Sequence, residues 1–391
     1  MQILKYKFRL YPTACQEQKL RQIIGSNRYV WNHFLAKEQE QYQLDKKFRF
    51  VNKNSVDLTA LKQTTEWLQH PPSTSLQQTL LNLDRALKQS FKRNNAQKGF
   101  PKFKKKANFT GSFTLAMVSV NRNIKGDRFH VSKGLDIKFK QHRALPSDFK
   151  TCQIKQEAGQ WFVVLTCEKA KVSPVDIKKA IGIDLNSKEY VLSNGTRYEI
   201  PKYLKENQFK IKHLQQEISR KQKGSKHRKQ AQLKLAKVHK SVANKRLNYF
   251  HKLSSALVTE YDHISLEDLN VAAIQQKMGH VVKDNGFGMF REMIVYKAAL
   301  YGKHTVIIDR YFPSSQLCSQ CGAVQKMPVS VRTYKCNGCG LAIDRDLNAA
   351  INIQRAGTAP INAFGEVQFQ DQIKILGILA DLNEEGSSVF S

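Results

Sequence analysis

Two C-x-x-C knuckles constrain this chain more than any other feature: Cys318-Ser-Gln-Cys321 and Cys336-Asn-Gly-Cys339, separated by 14 residues. Each knuckle can turn two thiolates onto one ion, and a glycine follows each to permit the tight turn. Four thiolates make a closed tetrahedral site with no position left open for water, which is the arrangement of structural zinc. One Zn²⁺ held by Cys318, Cys321, Cys336 and Cys339 is therefore expected. Of the seven cysteines, Cys15, Cys152 and Cys167 are scattered and read as packing residues. An odd number of cysteines in this distribution argues against a disulfide framework.

The chain has 391 residues, too many for one ordinary core, so two or three domains are expected. Sixty-four Lys and Arg against 32 Asp and Glu give a net charge of +32. That much self-repulsion destabilises a compact state unless a polyanion is present, and nucleic acid is the usual polyanion. No apolar run reaches the roughly 18 residues of a spanning helix. The N-terminal segment alternates polar and apolar residues and lacks a signal-peptide core. These features point to a cytoplasmic protein with no membrane partner.

The N-terminal ILKYKFRL alternates as a half-buried strand does, and Thr13 can cap the helix that follows. Helical spacing runs to about residue 43 and again through 76–93, the second helix capped near Ser73 or Ser75. In 98–113, Lys102, Lys104, Lys105 and Lys106 interleave with Phe100, Phe103 and Phe109. Basic residues beside aromatics suit phosphate contact with stacking; the bland reading is a solvated loop. Short strands fill 112–169, forming a barrel or meander that the first strand can join. AIGIDL (180–185), a long basic helical stretch broken at Gly224–Ser225, and the strands HISLEDL and HTVIIDRY describe an α/β region. Lys245 and Arg246 lie on the basic helical face, a rail for nucleic acid or a solvated exterior. The tail from 358 is weakly patterned and reads as disordered.

Three acidic residues stand out by placement. Asp184 ends one apolar strand, Glu267 ends another, and Asp346 opens a helix in DRDLNAAINI. A carboxylate at the end of a buried strand needs a partner, and a divalent metal is one. Three such groups could hold two Mg²⁺ ions across a phosphodiester. Each also has an ordinary reading: Asp344 or Asp346 as a helix cap, Glu267 in a salt bridge, Asp184 as a turn former. Asp268 could stand in for Glu267.

Taken together, YKFRLYPT, GFPKFKKK, GIDL, SLEDLNV, DRYFPSSQLCSQCG and YKCNGCG running into DRDLNAAINI resemble the TnpB family, relatives of the type V CRISPR effectors. These stretches span the chain to about Gly357. The resemblance implies a multidomain α+β fold with a wedge β-barrel over 1–12 and 112–176. A helical recognition lobe with the basic segment would occupy 13–111. A RuvC-like nuclease domain of RNase H type would occupy 178–312 and 341–357, the zinc ribbon 313–340, and a tail 358–391. It implies a Mg²⁺-dependent DNA endonuclease of a transposable element, with Asp184, Glu267 and Asp346 as catalytic, metal-holding residues. A guide RNA from the element's end, one per protein, would direct it to double-stranded DNA beside a short motif. Gln77 and Gln78 sit where helix side chains could reach base edges. The chain departs from the family at Asn186, where many relatives have Gly. Asn tolerates similar backbone angles, so little effect is expected. Gln316 replaces a commonly basic residue. Alternatives are an RNA-guided DNA-binding regulator without cleavage, a transposase that joins ends, and a general nucleic-acid-binding protein.

Overall fold

The computed structural model describes residues 2–92, 99–106, 111–145, 149–170, 172–269, 286–328 and 330–359. The tail from 360, on which disorder was expected, lies outside the described residues, as do parts of the basic segment (93–98 and 107–110). The chain divides into two compact units, the first ending at Lys169 and the second beginning at Ala170.

In the first unit β1 (Gln2–Tyr11) leads into three helices, α1 (Ala14–Asp45), α2 (Phe50–Thr64) and α3 (Ser73–Ser90). Then come β2 (Ser112–Ala116), a single turn α4 (Val120–Asn123), and β3 (Ile124–Lys125), β4 (Arg128–Ser132), β5 (Leu135–Lys140), β6 (Thr151–Glu157) and β7 (Gln160–Lys169). The strands form one sheet in the order β2-β6-β7-β1-β5-β4-β3. β1 crosses the whole helical insertion to pair antiparallel with β7 and β5, so the N-terminal strand sits mid-sheet. One core gathers Phe113 and Leu115 of β2, near one edge, with Phe129 and Val131 of β4, near the other. A sheet whose two edges feed one core must curl around it, though its hydrogen bonds do not close among the described residues.

Thr13 caps α1 as expected, and Gln16 answers it in a capping box. The helix serves two cores. Leu20, Ile23 and Ile24 seal the sheet, while Val30, Trp31, Phe34 and Leu35 pack with Leu76, Leu80, Leu83 and Leu87 of α3. The serine cap expected for α3 is corrected: Pro72 precedes the first turn and no side chain caps it. Ser75 instead donates to the Pro72 carbonyl at 2.9 Å and accepts from Asn27 at 3.2 Å; Ser73 accepts from Lys62 at 2.8 Å.

Phe8 on β1 is fully buried at the centre of the sheet core. Phe8→Ala is expected to destabilise this unit by about 3–5 kcal/mol through lost transfer energy and an unfilled cavity. Urea unfolding followed by tryptophan fluorescence isolates this unit, because all three tryptophans (Trp31, Trp67 and Trp161) lie in it.

The second unit opens with β8 (Ala180–Leu185), β9 (Glu189–Leu192) and β10 (Arg197–Glu199), an antiparallel meander. Helices α5 (Tyr203–Glu206), α6 (Gln208–Ser219) and α7 (Lys226–Glu260) follow, with the break at Gly224–Ser225 and Ser225 capping α7. β11 (His263–Glu267), α8 (Phe287–Leu300) and β12 (His304–Ile308) make a parallel crossover. The sheet order is β10-β9-β8-β11-β12. The ribbon hairpin, β13 (Thr333–Lys335) and β14 (Ala342–Asp344), runs directly into α9 (Arg345–Thr358).

Candidate metal centres of the second unit

Strand alternation puts the first two carboxylates on one face. Ile181, Ile183 and Leu185 of β8, with Ile264 and Leu266 of β11, join a core with α7 and α8 through Phe250, Leu257, Phe290 and Ile294. Gly182 and Asp184, and Ser265 and Glu267, therefore point to the opposite face, the one α9 covers. The parallel register pairs Leu266 with Ile183, so the next step along both strands brings Glu267 beside Asp184.

Two glycines let α9 lie close to that face. A Cβ on Gly182 would stand 2.2 Å from the Ala350 carbonyl and 2.4 Å from the Gln354 nitrogen. A Cβ on Gly357 would stand 2.0 Å from the Ser265 hydroxyl. Asp346 in the first turn is thereby held against the ends of β8 and β11.

The two aspartates of DRDLN divide the roles that the sequence left open. Asp344 caps α9, accepting from the nitrogens of Asp346 and Leu347 at 3.0 Å, and pairs with Arg197 at 2.8 Å. Asp346 is left to face Asn186, whose Nδ2 donates to its Oδ2 at 3.0 Å. Asp268 is bound by Arg291 and by Arg310, whose Nε lies 3.1 Å away, so it does not compete with Glu267. Ser314 donates to Glu267.

Burial pushes the Asp184 carboxyl well above the ordinary carboxylate range, and the charges of Glu267 and Asp346 add to the shift. Burial also raises Glu267, partly offset by the Ser314 hydroxyl. The charges of Glu267 and Asp346 reach Asp184, and Asn186 and Arg345 oppose them only in part; a divalent ion would add counter-charge there.

The cysteine centre lies in the ribbon. The four sulfurs all fall within 4.8 Å of one another. Cys318 to Cys339 is 3.7 Å and Cys321 to Cys336 is 3.6 Å. A tetrahedral ion with Zn–S bonds of about 2.3 Å separates its sulfurs by about 3.8 Å, so the donor set fits one such ion. Backbone nitrogens of Gln320 and Gly338 donate to Cys318 and Cys336 at 3.4 Å. Burial opposes ionisation of Cys318, but N–H donors from Cys321 and Gln320 outweigh it and bring the thiol down to about 6.

The second half of DRDLNAAINI ties the two centres together. Asn348 and Asn352, four apart on one helix face and both buried, reach into the base of the ribbon. Asn348 accepts from the Ser319 nitrogen at 2.9 Å and donates to the Leu317 carbonyl at 2.8 Å. Asn352 donates to the carbonyls of Leu317 at 2.7 Å and Ser314 at 2.8 Å. The intervening Ala349 and Ala350 keep α9 slim where it meets the sheet. The sequence reading met both asparagines only within the DRDLNAAINI stretch and gave neither a role, although their i, i+4 spacing was a usable signal.

The candidate nucleic-acid contacts fall in separate places. In the first unit Gln78 is buried and donates to Asn82 at 3.1 Å, while Gln77 is exposed and lines a cavity of about 400 Å³. Lys102, Lys105 and Lys106 are exposed. Lys104 sits 3.8 Å over the Trp31 ring, and its backbone is clamped by Asn32 through bonds of 2.8 and 3.1 Å. In the second unit Lys245 is exposed, 5.8 Å over Tyr203, and Arg246 is half-buried. Among the described residues no helix is long and apolar enough to cross a membrane.

Three family models match the chain: "Helix-turn-helix domain" over 1–47, "Probable transposase" over 163–278, and "Cas12f1-like, TNB domain" over 287–353. Over 14–45 the structure has one unbroken helix, so the first name describes no helix pair there. Several relatives are named "Putative RNA-guided DNA endonuclease", two of them similar over most of the chain. One, from Streptomyces pristinaespiralis, is 34% identical over 90% of this chain and 89% of its own length. The other, InsQ of Escherichia coli K12, is 29% identical over 93% and 94%. A cryo-EM structure of a Cas12f1-sgRNA-target DNA complex shares the fold, with a TM-score of 0.50 at 13% identity over 90% of this chain and 98% of that one. At 34% identity to the Streptomyces relative over 90% of this chain and 89% of that one, the chain belongs to the TnpB family.

Proposed function

We propose that this protein is an RNA-guided DNA endonuclease of an insertion sequence. The second unit would supply a RuvC-like core, and the curled sheet of the first a wedge domain with its helical lobe. The observation that carries the reading is the meeting of Asp184, Glu267 and Asp346, from two parallel strands and a helix, on one sheet face. Those carboxylates would hold two Mg²⁺ ions, which when bound supply Lewis acidity and an activated water for phosphodiester hydrolysis. The protein's own part is positional. The strand register fixes the first two carboxylates, Ser314 orients Glu267, and the glycine contacts set the height of α9. The four cysteines would hold one Zn²⁺ that keeps the ribbon, and through Asn348 and Asn352 the helix, in place.

The net charge of +32 supports polyanionic partners. A guide RNA transcribed from the element's end, one per chain, would pair with one strand of double-stranded DNA beside a short motif. Exposed Gln77, Lys102, Lys105, Lys106 and Lys245 are the candidate contacts.

The test is co-expression with RNA from the chain's own locus and a plasmid library with one fixed target and randomised flanks. Depletion of plasmids carrying one flank supports the reading. Guided binding without depletion would favour a DNA-binding regulator.

The placement of α9 gives a second expectation. Gly182→Ala forces backbone atoms of Ala350 and Gln354 to retreat and carries Asp346 with them. A displacement near 1 Å can cost about 100-fold in rate. Single-turnover cleavage should fall by that order while guide-RNA binding stays unchanged.

A further inference from the structure

Asn186 directly follows β8. Its backbone is not left-handed: among the described non-glycine residues only Lys46, Phe50, Met117 and Ala158 have positive φ. The backbone therefore places no demand on this residue, and what matters is its side chain.

The carboxamide is oriented from one end. Its Oδ1 accepts from the Lys188 nitrogen at 3.2 Å, which points the amide NH₂ the other way. That NH₂ donates to Asp346 Oδ2 at 3.0 Å, across 160 residues of sequence. The same side chain also opposes the burial and repulsion that disfavour the charge of Asp184. A cation near Asp346 is Arg332 of the ribbon, 3.9 Å away with most of its side chain exposed. Without Asn186, Asp346 would be free to turn toward Arg332 and away from Asp184.

We infer that Asn186 is a positioning residue for divalent-metal binding: its carboxamide, oriented by the Lys188 nitrogen, holds Asp346 in place near Asp184. Asp346 keeps its other oxygen for a metal. A neutral donor does this without adding charge, whereas an aspartate would add a fourth negative group. The inference rests on the carboxylate assignment made above and extends it to a residue that touches neither substrate nor metal.

The experiment is calorimetric titration of Mn²⁺ into the zinc-loaded, full-length chain without nucleic acid, for the wild type, Asn186→Ala, Asn186→Ser and Asp184→Asn. Loss of a hydrogen-bond partner to a metal ligand typically weakens binding about 10–100-fold, and Asn186→Ala is expected in that range. Asn186→Ser keeps one short donor and should recover part of the affinity. In cleavage, the half-saturating Mg²⁺ concentration should rise by the same factor in Asn186→Ala, with a smaller fall in rate at saturating Mg²⁺. Because position 186 follows β8 in ordinary backbone, circular dichroism should show all the variants folded. Mn²⁺ affinity in Asn186→Ala within twofold of wild type, with Asp184→Asn strongly weakened, overturns the inference alone. Asp184→Asn binding as wild type overturns the carboxylate assignment and this inference together.

Discussion

Asp184→Asn is expected to reduce guided cleavage by about 10³-fold or more, a barrier increase of several kcal/mol, while leaving RNA and target binding intact. The substitution keeps the shape of the side chain and removes one negative charge from the three that meet. The same change should raise the stability of the metal-free protein. Burial, then Glu267 and Asp346, lift the Asp184 carboxyl well above its ordinary value. A raised carboxyl contributes stability below the unfolded-state value, and that contribution is lost as pH rises through the folded-state value. The wild type therefore loses stability at neutral and alkaline pH where the asparagine variant does not. Thermal unfolding in EDTA at pH 8 should show the variant higher by a few degrees, with the gap closing below about pH 4. A variant that is inactive and also less stable at pH 8 would mean that the carboxylate is held by protein partners as a structural group.

The second large effect concerns the cysteines. The purified chain should contain one zinc by elemental analysis, and Cys318→Ala should contain none. Structural zinc contributes about 10–16 kcal/mol to folding in small peptides, so the ribbon has no comparable means of ordering itself without the ion. Its collapse removes the carbonyls of Ser314 and Leu317 that Asn348 and Asn352 hold. Helix α9 then loses its anchor at the end that carries Asp346. Cleavage should fall at least 100-fold, an effect of the size that 1 Å misplacements produce, though no carboxylate has changed. Stripping with a strong chelator and returning Mg²⁺ alone should not restore activity; returning Zn²⁺ with Mg²⁺ should. Full activity in a zinc-free Cys318→Ala protein would separate the ribbon from the carboxylate centre.

What could be read from the sequence followed from local chemistry. The cysteine spacing foretold sulfurs within 4.8 Å of one another, because two knuckles and their glycines leave few other arrangements. Apolar strand patterns located β8 and β11, and Thr13 announced the start of α1. The serine cap of α3 failed because Ser73 and Ser75 are engaged by Lys62 and Asn27 from other helices, a tertiary choice that no local rule contains. The meeting of the carboxylates was legible through family resemblance, since positions 184, 267 and 346 carry no local sign of proximity. Asn186 was weighed for its backbone angles, and its side-chain bond to Asp346, a residue far along the chain, could not be read locally. Gly182 and Gly357 are similar, since their purpose shows only when α9 is seen against the sheet.

The measurement that bears most directly on the central claim is cleavage of a supercoiled plasmid by the purified protein–RNA complex. The RNA would come from the chain's own locus, its guide portion either matched to the plasmid or scrambled, with and without Mg²⁺. The account expects linear product only with the matched guide and Mg²⁺. Cleavage that is equal with matched and scrambled guides, or undiminished in EDTA, would contradict it.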